Sequence, residues 1–127
     1  MNKLKLIVYS LLVMTATSVI AGEISIDEDY MQVMEDRQKS LSSNISLKKV
    51  NAALNDAKSL EESFNDVETF YVHKGKEDAV NWSKESRELA VSIQKYVASN
   101  DFDTASQTSV ALAKTCKTCH RSYEKDT

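Results

Sequence analysis

The sequence predicts an all-α protein folded as an antiparallel up-down four-helix bundle, on three observations. Proline is absent and glycine occurs only at Gly22 and Gly75, so little besides polar capping residues interrupts helices. Apolar residues recur at spacings of three and four, with no alternation of the kind a half-buried strand needs. The periodic stretches divide into four, joined by about two to five residues, a connection length that sets neighbouring helices antiparallel.

The first residues read as a leader. Lys3 and Lys5 precede an apolar run from Leu6 to Ile20 that closes on Ala21 and Gly22, the pattern of a secretory signal peptide cleaved after Ala21. A retained membrane anchor usually needs about 20 apolar residues, and this run is shorter and broken by Ser10, Thr15, Thr17 and Ser18. Removing residues 1–21 from 127 leaves 106, residues 22–127, enough for one domain with one core. Of the 16 Lys and Arg, the two in the leader depart, so 14 remain against 19 Asp and Glu, a formal charge of −5. That acidity argues against nucleic acid as a partner.

In the mature chain the first helix opens at Ser25 or Asp27, where Ser25 and Glu28 have capping-box spacing, and carries Tyr30, Met31, Met34 and Leu41 on one stripe. Its end is expected near Ser43 and Asn44. The second begins after Ser46 and repeats Leu47, Val50, Leu54, Ala57, Leu60, Phe64, Val67 and Tyr71 before Gly75 caps it. A third runs from about Glu77 to Ala98 and buries Val80, Leu89, Ala90, Ile93 and Val97, with Ser99 and Asn100 ending it. Asp101 caps a fourth, which carries Phe102, Ala105, Ser109, Leu112, Ala113 and Cys116 and reaches His120 and Tyr123. Its small residues Ala105, Ser106, Ser109 and Ala113 leave room beside it for something bulky.

The chemistry concentrates in Cys116-Lys117-Thr118-Cys119-His120. Both cysteines and the histidine project from one face of a helix within about one turn. C-x-x-C-H is the attachment sequence of haem c: each thiol adds to a porphyrin vinyl group and the adjacent imidazole reaches the iron. Three other readings compete. A thioredoxin-like pair wants its C-x-x-C after a strand and at a helix N-terminus, where the thiol pKa falls, whereas this motif ends a helix. A structural zinc needs four ligands, and beyond this run only His73 is offered. An ordinary disulfide leaves His120 and the small-residue face unexplained.

The stretch from Glu88 to Tyr123, with its break at Ser99-Asn100-Asp101-Phe102 and its C-terminal Cys116, Cys119 and His120, resembles the class II cytochromes c, the cytochrome c-prime family. With the Asn81-Trp82-Ser83 start of the third helix and the four-helix layout, the resemblance spans essentially residues 22–127. Residues Asp27 to Asp36 are also similar to the first helix of the soluble b-type cytochromes of the same bundle, and Met31 falls where their iron-ligating methionine stands. The resemblance implies one covalently attached haem c whose iron is bound by His120 on one side and Met31 on the other, with Met34 one turn along as the substitute and an open sixth position if neither binds. His73 is a third choice as ligand. A favourable charge at a helix C-terminus explains His73 without any ligation.

Methionine–histidine ligation favours electron transfer, so the expected function is single-electron exchange with redox partner proteins in the periplasm, with no substrate turnover and no membrane after signal cleavage. The acidic net charge favours a basic docking patch on that partner. The alternative is a five-coordinate protein that binds nitric oxide or carbon monoxide. Five-coordinate members of the family tend to carry a basic residue four places after the haem histidine, and this chain has Glu124 there. Many relatives are homodimers through their first two helices, which the long second helix allows. Tyr123, one turn past the motif, and Trp82 and Tyr30 are expected to pack in the core or against a porphyrin.

Overall fold

The computed structural model describes residues 25–123, with Tyr123 described by its backbone alone; the expected leader and Glu124 lie outside the described residues. Four helices follow in order: α1 Glu28–Ser46, α2 Val50–Lys74, α3 Glu77–Ala98 and α4 Phe102–Tyr123. Each packs against its two neighbours, α1 on α2 and α4, and α3 on α2 and α4. This is an all-α, antiparallel up-down bundle, and no strand occurs among the described residues. No helix among them is long and apolar enough to cross a membrane.

The caps explain the boundaries. Asp27 is extended, and its carboxylate accepts the backbone N–H of Tyr30 at 2.8 Å, satisfying one of the orphan donors of the first turn. Asp101 does the same for Thr104 at 3.2 Å. Each of the three inner helix ends closes through a left-handed residue: Lys48 (φ 54°), Gly75 (φ 67°) and Asn100 (φ 57°). At each, the next N–H bonds to the carbonyl five residues back, from Lys49 to Asn44, from Lys76 to Tyr71 and from Asp101 to Tyr96. That is the Schellman arrangement, and it absorbs carbonyls the helix leaves unpaired.

Three expectations need correcting. α1 runs to Ser46, two residues past Asn44, because the Asn44 amide is held within the helix by Asp56 at 2.8 Å and Ser40 at 3.3 Å, and the turn falls to Lys48 instead. Leu47 therefore belongs to the turn rather than to α2, and stands exposed. On α3 the buried face is Ala79, Ser83, Ser86, Ala90, Ile93 and Val97, while Val80 and Leu89 flank it, half-buried, because small side chains take the seam between helices.

Leu41 and Ile45 of α1, Leu60 of α2, Ile93 and Val97 of α3 and Leu112 of α4 are fully buried. They fill the half of the bundle where α1 and α3 end and α2 and α4 begin. Polar ties fix the register around them. Asp56 of α2, 4% exposed, receives Arg37 at 3.1 Å, Ser40 at 2.7 Å and Asn44 at 2.8 Å, all from α1. Arg87 of α3 lies 2.6 Å from Glu68 of α2. Gln38 of α1 donates to the Ser109 carbonyl and hydroxyl of α4 at 3.0 and 3.1 Å. The opposite half, where α1 and α3 begin and α2 and α4 end, is not filled.

Candidate functional site

That unfilled half is a cavity of about 260 Å³, walled by all four helices. α1 contributes Met31, Met34, Glu35, Gln38 and Lys39; α2 contributes Phe64 and Val67; α3 contributes Trp82, Ser83 and Ser86; α4 contributes Ala113, Cys116, Lys117, Cys119 and His120. The space follows from the residue sizes. Ser83 and Ser86 of α3 and Ala113 of α4 line it, and short side chains facing inward leave room no neighbour crosses. The Ser83 hydroxyl is spent on its own helix, donating to the Ala79 carbonyl at 2.6 Å, so it brings no unmet polar demand to the wall.

Cys116, Cys119 and His120 come to this cavity together because positions i, i+3 and i+4 share a helix face. Both cysteines are free thiols, partly buried, and Cys116 packs against the core cluster. Burial, and then the charge Cys119 would carry, pushes the Cys116 thiol from an ordinary 9.0 to about 11. Burial raises Cys119 as well. Thiols held protonated are the reverse of the activated thiolate a thioredoxin-like pair uses, and their place in the last turns of α4 removes the helix N-terminus that would create one. No group of three or more His, Cys, Asp and Glu side chains among the described residues is arranged to hold a metal ion directly.

Met31 and Met34 both reach the wall, in the first two turns of α1. Met34 is 6% exposed and belongs to the packed core; Met31 is only partly buried. Glu35 follows Met31 by four residues. Its carboxylate lies 2.9 Å from Lys39, whose hydrogen bond and charge hold it below the usual carboxylate range, with the His120 charge acting in the same direction. His73, by contrast, is exposed at the end of α2 and is not among the residues lining the cavity. Its expected third place as a ligand is therefore withdrawn.

Trp82 joins the wall as expected, whereas the Tyr30 hydroxyl turns to α2, donating to Asp66 at 3.1 Å and lying 3.5 Å from the Ser63 carbonyl. Burial among these groups raises the Tyr30 pKa, with the Ser63 bond opposing and Asp66 adding to the rise. Sequence reasoning missed Glu35, Gln38, Lys39 and Ser86 as wall residues. The first three stand at i+4, i+7 and i+8 from Met31, so the helical repeat that placed Met31 also carried them. Comparison with protein-family models, with curated proteins and with solved structures finds no match.

Proposed function

We propose that the chain is a monohaem c-type cytochrome of the class II kind, carrying single electrons between redox partner proteins in the periplasm. One observation carries the reading: the two thiols and the imidazole of a C-x-x-C-H run share a cavity with a methionine thioether from a different helix. The residues present fit a haem c. Cys116 and Cys119 would supply the thiols for two thioether bonds, each adding its sulfur and its hydrogen across a vinyl group, and His120 would supply a nitrogen to the iron. Met31, less spent on core packing than Met34, would offer its thioether sulfur to the iron. When bound, such a group takes up or gives up one electron at iron without bonds being made or broken.

The rest of the site does what a protein contributes to that chemistry. Phe64, Val67 and Trp82 keep the cavity apolar and exclude water, which sets the balance between two iron charges. Ser83, Ser86 and Ala113 leave the space.

Expression of the full chain alongside a haem-attachment system tests the proposal. A red protein whose pigment resists acid extraction, and whose mass exceeds the processed chain by one haem, is the expected result. Colourless protein with two free thiols, or with a Cys116–Cys119 disulfide, sinks it.

A further inference from the structure

Net charge points electron exchange toward basic partners, since the chain carries 19 Asp and Glu against 16 Lys and Arg. The surface beside the cavity departs from that average. From Thr104 to Tyr123, α4 contains no carboxylate at all, while Lys114, Lys117 and Arg121 are exposed. Val110, 64% exposed, precedes them, and the four stand at i, i+4, i+7 and i+11, one stripe along the helix. Lys117 belongs both to this stripe and to the cavity wall, three residues before His120. Glu35, the one carboxylate lining the cavity among the described residues, is tied to Lys39 at 2.9 Å.

We propose that this stripe of α4 is a docking surface for an acidic face of a redox partner protein, set where the haem-bearing cavity meets the surface. The inference rests on the haem reading above, which supplies the electron to be exchanged. Charges act on an approaching molecule only over about a Debye length, ~8 Å at physiological salt, so a partner that comes in along α4 meets the cations of the stripe at closest range, with the exposed Glu28, Asp29 and Asp36 of α1 bounding that basic surface on the neighbouring helix. Cations around an exposed apolar residue also suit a short-lived contact, since the charges speed encounter and Val110 adds only a small apolar area. In the exchange one electron leaves ferrous iron, which becomes ferric, and the partner's acceptor is reduced by one; no proton moves and no bond forms.

Stopped-flow oxidation of the ferrous holoprotein by two small oxidants of opposite charge tests this. With the anion hexacyanoferrate(III), the rate falls several-fold as salt rises from about 10 to about 200 mM, against the sign the net charge dictates. With the cation tris(phenanthroline)cobalt(III), it rises. Lys114→Glu combined with Arg121→Glu lowers the low-salt rate with the anion by about tenfold and raises it with the cation. A rate with the anion that rises with salt in the unchanged protein, or equal losses with both oxidants in the double variant, overturns the docking proposal while leaving the haem reading in place. A chain that takes up no covalent haem overturns both.

Discussion

Met31 in the first turn of α1 and His120 in the last turn of α4 wall the same cavity, although they stand near opposite ends of the described chain. The antiparallel layout alone brings the start of the first helix level with the end of the fourth. Everything proposed about the site depends on that meeting.

The room beside Cys116 is a consequence of small side chains, so enlarging one closes it. Ala113→Leu places three further carbons at the α4 wall. In the chain without haem this buries apolar surface and raises stability by about 1 kcal/mol. Attachment of haem drops several-fold in the same variant. Urea unfolding of the unattached chain and the pigment-to-protein ratio of the co-expressed one measure the two effects, which run in opposite directions.

The raised Cys116 thiol makes the unattached chain sensitive to alkali. The folded state keeps this proton up to about pH 11, whereas the unfolded thiol loses it near 9.0. Between those values the folded state binds more protons, so stability is intact below pH 9.0 and falls as pH rises toward about 11. The loss is about 3 kcal/mol in all, and Cys116→Ala removes this part of it. At pH 8, iodoacetamide reacts with Cys116 roughly a hundredfold more slowly than with an unfolded thiol.

The Asp56 carboxylate is the main polar tie between α1 and α2, and its three donors are left stranded if it goes. Asp56→Ala costs about 2 to 3 kcal/mol in urea unfolding, since Ser40 and Asn44 lose a charged acceptor in a part-buried setting. Arg37→Ala costs less, because the Arg37 side chain is 43% exposed and water replaces its partner.

The two turns flanking α2 respond oppositely to glycine chemistry. Gly75 sits at φ 67°, with nothing within 4 Å of where a Cβ would stand, so Gly75→Ala costs about 1 kcal/mol through backbone strain alone. Lys48 already bears that strain at φ 54°, and Lys48→Gly stabilises by up to about 1 kcal/mol. Thermal unfolding of the two variants gives shifts of opposite sign.

Much of this architecture is legible in the residues. The run from Val50 to Tyr71 and the Gly75 cap specify α2 because an uninterrupted apolar stripe and a lone glycine admit one reading. Cys116, Cys119 and His120 are legible as a unit because their spacing fixes a shared helix face whatever surrounds it. The end of α1 is not, since Asn44 looks like a C-terminal signal until the buried Asp56, nineteen positions after Arg37 and twelve after Asn44, engages it. The wall of the cavity is only half legible. Ser83 and Ser86 are polar residues outside the apolar stripe of α3, and become interior only because α2 and α4 close over that face.

The central proposal is that a haem held by Cys116, Cys119 and His120 would also take the Met31 thioether as an iron ligand. The optical spectrum of the holoprotein, beside those of Met31→Ala and Met34→Ala, tests it most directly. Low-spin ferric and ferrous spectra in the unchanged protein, retained in Met34→Ala and converted to high-spin in Met31→Ala, are the predicted result. A high-spin spectrum in the unchanged protein would contradict the account and point to an open iron that binds nitric oxide or carbon monoxide.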